Sequence, residues 1–283
     1  MEKLKKRIQQ LKKKRPGYKE ILDFYQKIRD EQEKTKASLK LEPIHLRKEW
    51  KALLTKEGFP ILEKGDFPVD IEASMTLFHS LCQIGKDANS HMAREAEKIE
   101  AILDQKKVDL KRLLIEGTKE GKIKEIGREF GLDKQVLTYL VQESLRPSIE
   151  AGVEKLHHEF DTRNWLKGYC PICGSLPYLS LLKEEVGKRY LLCSFCGYAW
   201  RVDRMTCPFC QNKGQESLHY FYGEGEEALR IDFCDKCREY IKTIDLRKID
   251  SDDPTLEDLA TLHLDVLASQ KGYRRPIARL FAT

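Results

Sequence analysis

Eight of the nine cysteines in this 283-residue chain lie in four Cys-x-x-Cys pairs between residues 170 and 237. Two intervening residues let both sulfurs of a pair face one point, and a tetrahedral metal ion needs two such pairs. The four pairs therefore predict two metal sites, each closed by four thiolates. Taken in chain order, the first set is Cys170, Cys173, Cys193 and Cys196, and the second set is Cys207, Cys210, Cys234 and Cys237.

An internal duplication supports this sequential pairing. Residues 169–202 and 206–244 each contain a Cys pair, two strand-like segments around a glycine turn, a second Cys pair and a closing apolar segment. A cross-braced pairing, first with third and second with fourth, would separate each hairpin from its own cysteines. Four thiolates suit zinc(II) and a rubredoxin-type iron equally, so the sequence leaves the metal open. The simplest role of either ion is to hold together ribbons that lack a sufficient core.

Composition and charge restrict the class of protein. Hydrophobic residues make up 41% and charged residues 34% of the chain, no apolar run reaches the roughly 18 residues of a membrane span, and the N-terminus lacks a secretory h-region. We therefore expect a cytoplasmic protein whose paired cysteines bind metal instead of forming disulfides. The net charge of +5 comes from residues 1–16, which hold eight Lys/Arg and one Glu. This pattern predicts a short amphipathic basic helix, not a basic surface for nucleic acid.

Periodicity divides the chain and predicts an α+β fold. Helical spacing of apolar residues predicts an all-helical domain over residues 1–165, and alternating apolar residues predict strands after Tyr169. We expect a first four-cysteine ribbon at 166–204, a second at 205–250, and a C-terminal helix and tail at 251–283. Individual helices are expected at about 18–39, 46–54, 71–84, 92–116, 133–165 with a kink or break at Pro147, and 254–270 with Asp253 as cap.

The remaining residues and motifs give weaker evidence for a functional site. Cys82 lies in an apolar helical segment without an identifiable base, which favours a buried packing role. The seven histidines show no ligand spacing, and residues 123–140 look like a helix-turn-helix whose second helix has only Lys134 as a basic residue. Since each predicted metal site has four protein ligands and no vacancy, the sequence argues against metal hydrolase chemistry, and we predict no catalytic residue.

The ordered motifs resemble those of the formate dehydrogenase accessory protein family, over about residues 140–273. They are WLKGYCPICGS from Trp165, RYLLCSFCGYAWRVDRMTCPFC from Arg189, FCDKCREYIKTID from Phe233 and DDPTLEDLATLHLDVLASQKGY from Asp252. The resemblance implies a cytoplasmic protein that does not turn over a substrate. It also implies association with the catalytic, molybdenum- or tungsten-bearing subunit during maturation, and metal, thought to be iron, at the Cys pairs. Gln211 and Arg238 stand here where relatives often have glycine.

Two other functions remain open from the sequence. One is a nucleic-acid-binding zinc-ribbon protein, although residues 166–247 are nearly neutral, with 12 basic and 11 acidic residues. The other is an electron-transfer protein with two rubredoxin-type iron centres. Exposed strand edges and the many tyrosines of the ribbons favour a protein partner over nucleic acid. The oligomeric state is not predicted.

Overall fold

The computed structural model describes residues 1–44, 57–117, 121–156 and 162–277. The chain divides into two compact units. The helical unit comprises Pro16–His45 and Leu62–His157, and the cysteine unit comprises Met1–Arg15, Leu46–Ile61 and His158–Thr283, in each case as far as their residues are described. An α+β fold is confirmed, because helices make up one unit and a sheet dominates the other.

Helix α1 (Glu2–Lys14) belongs to the cysteine unit, and the next six helices form the helical unit. Those six are α2 (Lys19–Lys36), α3 (Ile71–Lys86), α4 (Ser90–Asp104), α5 (Leu110–Glu116), α6 (Lys122–Phe130) and α7 (Lys134–Leu156). Helix α3 packs against α2, α4 and α7. Its buried face carries Leu77, Phe78 and Leu81 at the spacing of an amphipathic helix. In the described parts of the chain, no helix combines the length and apolarity needed to cross a bilayer.

Two helix predictions for this unit need correction. The single helix expected at 92–116 is two helices, because Lys106 adopts a positive φ of 53° and the Asp109 carboxylate caps α5 by accepting from the Arg112 N–H at 3.3 Å. Pro147 does not break α7, which continues as a helix through that residue. The helix expected at 46–54 lies outside the described residues.

The cysteine unit contains one six-stranded mixed sheet. Its strands are β1 (Pro177–Lys183), β2 (Lys188–Cys193), β3 (Ala199–Val202), β4 (Leu218–Tyr222), β5 (Leu229–Cys234) and β6 (Glu239–Asp245). Their order is β3-β2-β1-β6-β5-β4, with antiparallel pairing inside each half. The two halves join through β1 and β6, which run parallel with Leu179 opposite Lys242. The two predicted ribbons are therefore halves of one sheet.

The parallel junction also fixes where the cysteines lie. Strand β1 begins just after the first Cys pair, and β6 begins just after the fourth. Because β1 and β6 are parallel neighbours, both strands start at the same end of the sheet. The second half therefore repeats the first by a translation across the sheet. Both cysteine sets lie at the same end of the sheet.

One face of the sheet packs against two C-terminal helices, α8 (Pro254–Leu259) and α9 (Leu262–Gln270). The core there includes Leu179 and Leu181 of β1, Ile231 of β5, and Leu264 of α9. The prediction of one helix over 254–270 is wrong in detail, since the helix stops at Ala260 and restarts after Thr261. The predicted cap is confirmed, with Asp253 accepting from the Leu256 N–H at 3.1 Å.

The buried side chain of Lys242 hydrogen-bonds the backbone at the break between α8 and α9. The Lys242 ammonium is fully buried and donates to the carbonyls of Asp258 and Thr261 at 3.0 and 3.1 Å. It also lies 2.8 Å from an Asp258 carboxylate oxygen and 2.6 Å from one of Asp265. Arg275 bonds the same two carboxylates. Two buried cations therefore face two buried anions, which is the arrangement that makes such burial tolerable.

The same cations act on the acidity of Asp258. Burial opposes ionisation of this carboxyl, but Arg275 and Lys242 outweigh it and hold the pKa of Asp258 well below its ordinary value. Asp258 therefore stays ionised at neutral pH. Its contribution to stability is present above the ordinary carboxyl pKa and falls away only in acid.

Helix α1 packs within the cysteine unit through both its apolar and its basic residues. Ile8 and Leu11 are buried. Arg7 bonds the buried Glu257 carboxylate at 2.7 Å, and Arg15 pairs with Glu226. The sequence places residues 1–16 in the helical domain 1–165, whereas the structure groups Met1–Arg15 with the sheet and its C-terminal helices. Both the buried apolar residues and the ion pairs of α1 join it to residues far along the chain, and helical periodicity does not report such contacts.

Replacing Lys242 by methionine is expected to lower the free energy of unfolding by about 3–5 kcal/mol, because Asp258 and Asp265 would keep buried charge with one cation fewer. The measurement is urea denaturation of the full chain followed by circular dichroism. Lys248→Met is the matched control, since Lys248 is exposed on the same sequence segment, and it is expected to change stability by less than about 0.5 kcal/mol. Equal stabilities for the two variants would contradict the assigned role of the buried charges.

Candidate metal centres

The first cysteine cluster brings together the pairs before β1 and after β2. The Sγ atoms of Cys173 and Cys193 lie 3.4 Å apart, and Cys196 Sγ lies 3.6 Å from those of Cys170 and Cys173. All four residues are buried. The antiparallel pairing of β1 with β2 delivers them, because it places Pro177 opposite Cys193.

The second cluster repeats this arrangement in the other half of the sheet. The Sγ atoms of Cys207 and Cys237 lie 3.7 Å apart, and those of Cys210 and Cys234 are separated by the same distance. The pairing is therefore sequential, as the duplication indicated, and not cross-braced. Cys207 and Cys234 are buried, Cys237 is half-buried and Cys210 is exposed.

The sulfur geometry fits a four-thiolate metal ion. A disulfide needs about 2.05 Å between sulfurs, and all nine cysteines are free thiols here. A tetrahedral ion with metal–sulfur bonds of about 2.3 Å separates its ligands by about 3.8 Å, close to the 3.4–3.7 Å observed. Each cluster can therefore hold one zinc or iron ion. Such an ion would supply the positive charge that lets four buried thiolates stay together.

Burial explains why that charge is needed. Burial raises the pKa of the Cys170 and Cys196 thiols, because a thiolate without a cation is poorly solvated in the interior. In the second cluster burial raises the pKa of Cys207 to about 11, against hydrogen bonds from the backbone of Cys210 and Phe209. Metal binding must displace these protons, so it is coupled to proton release and weakens in acid.

The backbone turns around the clusters are built alike. Gly174 N–H donates to the Cys170 carbonyl at 2.9 Å, and Gln211 N–H donates to the Cys207 carbonyl at 3.0 Å. The residue after each Cys pair adopts a left-handed conformation in all four turns. The φ values are 72° at Gly174 and Gly197, and 58° at Gln211 and Arg238. Gln211 and Arg238 thus occupy positions where glycine would relieve strain.

The histidines and Cys82 lie outside both clusters. His91, His219 and His263 are each within 3.1 Å of a carboxylate, and none belongs to a cysteine cluster. His45, His157 and His158 lie outside the described residues. Cys82 is fully buried in α3, and burial raises its pKa to about 12, so its thiol is an unreactive packing group as predicted.

The candidate helix-turn-helix is part of the helical unit's packing. Helices α6 and α7 meet at Gly131, whose φ is 61°. The first turns of α7 bury Val136, Leu137 and Leu140, and Lys134 is exposed. The helix that would read DNA therefore presents much of its surface to the protein core.

Sequence reasoning missed a group of arginines near the second cluster. Arg189 of β2 is buried and donates to the carbonyls of Arg204 and Thr206 at 3.3 and 3.1 Å. Its other terminal nitrogen lies 3.4 Å from Asp232 of β5. Arg189 thereby fixes the segment that leads into the third Cys pair. No sequence signal places β2 near β5, because that depends on the parallel junction between the halves.

A cavity of about 190 Å³ adjoins the second cluster. Its walls combine sheet residues, the segment before the third Cys pair and two of the cysteines. The lining includes Arg189, Arg204, Cys207, Phe209, Tyr220 and Cys234.

Comparison with known proteins gives matches over both halves of the sheet. Residues 169–204 match the family described as FdhE, central domain, and residues 205–281 match FdhE, C-terminal domain. The chain is 28% identical over 270 residues to the "Protein FdhE homolog" of Aquifex aeolicus (strain VF5), covering 94% of this chain and 90% of that protein.

Two further matches differ in extent. "Protein FdhE" of Escherichia coli O127:H6 (strain E2348/69 / EPEC) is 37% identical over 110 residues, which span 38% of this chain and 35% of that protein. The crystal structure of the FdhE protein from Pseudomonas aeruginosa superposes with a TM-score of 0.67 at 22% identity, covering 99% of this chain and 94% of that one. This structural match shows that the fold is shared.

A pair of exchanges tests the strain assigned to the turns. Gln211→Gly is expected to stabilise the metal-loaded protein by about 1 kcal/mol, because it removes a left-handed non-glycine residue. Gly174→Gln is expected to destabilise it, since the position has a φ of 72° and an added Cβ would lie 2.8 Å from Pro60 Cγ. Thermal unfolding monitored by calorimetry measures both. Opposite or equal shifts would show that the turn conformation does not limit stability.

Proposed function

Because the chain belongs to the FdhE family of formate dehydrogenase accessory proteins, we propose that it is a maturation factor that binds the catalytic subunit of a formate dehydrogenase. Cys170, Cys173, Cys193 and Cys196 would hold one metal ion, and Cys207, Cys210, Cys234 and Cys237 a second. The protein would act in the cytoplasm and would not itself turn over a substrate.

The observation that carries this proposal is the pair of four-sulfur clusters at one end of a single sheet. Each ion would have four protein ligands, so no coordination position is left for a substrate or an activated water. Hydrolytic metal chemistry is therefore a poor fit. A rigid metal-braced sheet that presents a binding surface fits better.

The exposed surface of the second half offers a place for a protein partner. Strand β4 is the last strand of the sheet, and its Tyr220 and Tyr222 are 58% and 46% exposed, with ring centroids 6.3 Å apart. Met205 is 49% exposed nearby in the same half. Large aromatic and methionine side chains at a sheet edge are typical of protein-binding surfaces, where aromatic residues dominate the affinity.

Nucleic acid is a weaker candidate partner. The basic residues of α1 are partly engaged within the cysteine unit, where Lys3 lies 2.7 Å from Asp250 and Arg7 lies 2.7 Å from Glu257. Phosphate binding would have to compete with these carboxylates. Charge without an aromatic or groove-shaped surface beside it also confers no sequence preference.

Affinity capture tests the partner. The tagged full chain, purified from cells grown on formate, is expected to co-purify with the catalytic subunit of formate dehydrogenase, identified by mass spectrometry. Tyr220→Ala/Tyr222→Ala is expected to reduce recovery about tenfold or more, because alanine truncation of central aromatic contacts commonly costs about 2 kcal/mol. Val186→Ala is the control, since Val186 is 71% exposed in the first half. Failure to recover the subunit from cells with active dehydrogenase would reject the proposal.

Metal content tests the ligand assignment. The purified protein is expected to hold two metal ions per chain, and Cys193→Ser is expected to remove one, because the first cluster would keep only three thiolates. Cys82→Ser is the matched control and should retain both ions. Elemental analysis identifies the ion and its amount. Two ions retained in Cys193→Ser would contradict the assigned ligands.

A further inference from the structure

The two clusters differ in how far solvent reaches their sulfurs. In the first cluster each cysteine is 6% exposed or less. In the second, Cys210 is exposed and Cys237 is half-buried, while Cys207 and Cys234 are buried. Ligand exchange at a closed four-thiolate site begins when an incoming donor reaches the metal and one sulfur leaves. An exposed ligand is where that can happen.

Chain segments from elsewhere in the cysteine unit cover the first cluster. The Ile61 N–H donates to the Pro171 carbonyl at 3.0 Å, and Pro60 lies against Gly174. The Tyr169 hydroxyl donates to the Gly58 carbonyl at 2.7 Å. These contacts hold the 58–61 segment across the first Cys pair. An incoming ligand could reach those sulfurs only after this segment separated from the turn.

The cavity gives the second cluster another approach. Cys207 and Cys234 both line it, so two residues of the second cluster border an open space of about 190 Å³. It is large enough for a small thiol or a chelating carboxylate. The second cluster can therefore be approached at the exposed Cys210 and also from the cavity.

Three arginines and two carboxylates, Asp232 and Glu239, line the cavity, so positive charge is in slight excess there. Asp232 is flanked by Arg189 at 3.4 Å and Arg230 at 2.7 Å. Arg204 is exposed and lines the same cavity. Guanidinium groups attract thiolates and carboxylates and lose less hydration than ammonium groups in doing so.

The backbone conformation of the turns after the Cys pairs also favours opening of the second cluster. Both left-handed non-glycine residues that follow Cys pairs, Gln211 and Arg238, belong to the second cluster, whereas the first has Gly174 and Gly197. A side chain in this conformation disfavours the closed turn. Local opening of the turn that carries Cys210 therefore needs less free energy than opening of its counterpart in the first cluster.

We propose that the first cluster is a permanent structural centre and the second is an exchangeable metal site that opens at Cys210. An incoming thiolate would replace Cys210 as a ligand of the ion held by the second set, and the released Cys210 thiolate would take a proton from water. Such ligand exchange moves no electron and would leave the oxidation state of the ion unchanged. This inference rests on the proposed binding of one ion in each cluster.

The test follows metal release from the full chain loaded with zinc, using the chromogenic chelator 4-(2-pyridylazo)resorcinol. We expect zinc to be released in two phases, each of one equivalent per chain. The first phase should be at least about tenfold faster than the second, which corresponds to a difference of about 1.4 kcal/mol in opening free energy. Iodoacetamide added after the fast phase is expected to alkylate the second set, with iodide leaving, while the first set stays unmodified. Peptide mass spectrometry locates the label.

Two variants separate the alternatives. Gln211→Gly keeps every ligand and is expected to slow the fast phase about fivefold by favouring the closed turn, with the slow phase unchanged. Cys210→Ser is expected to abolish the fast phase and leave one slowly released ion. Release of both ions at one rate, or first labelling of Cys170 or Cys196, would overturn the inference. Fewer than two ions in the unmodified protein would instead reject the metal assignment in the proposed function.

Discussion

The constraint on which the cysteine unit depends is that four sulfurs must meet within bonding distance of one ion, twice, at the end of a small sheet. Each cluster brings the turn before a hairpin together with the turn after its second strand, so an ion bound there would fix strand register as well as turn geometry. A half-sheet of three short strands buries little apolar surface by itself. A metal ion held by four of these sulfurs would supply a strong link where the core is thin, and the backbone turns around the cysteines are shaped for that link.

The second organising interaction joins the duplicated halves. Strand β6 lies parallel to β1, and the side chain of Lys242 leaves that junction to reach the break between α8 and α9. There it donates to two carbonyls and pairs with two carboxylates that Arg275 also binds. The sheet junction, the helix break and Arg275 therefore meet in one buried charge arrangement. Helix α1 extends it from outside by pairing Arg7 with Glu257.

These features give the two halves different properties although they share a plan. The first half is covered by the 58–61 segment and has glycine at both positions that follow its Cys pairs, so its cluster is closed off from solvent. The second half has an exposed sulfur, an adjoining cavity and side chains at the strained positions. It also carries the exposed tyrosines of the terminal strand. The exposed sulfur and the exposed aromatic surface therefore occur in the same half of the sheet.

The sequence by itself determined both cysteine sets, the duplication, the α+β class and most helices, because these depend on ligand spacing and on local periodicity. It did not determine the break at Lys106, since a short helix interruption costs little and leaves the apolar period almost intact. Only the tertiary structure decided that the ribbons merge into one sheet, that α1 joins that unit, and that Arg189 braces the second cluster. Those outcomes depend on contacts between residues far apart in sequence, such as Arg7 with Glu257, where pairing energy and burial are decided by the whole fold.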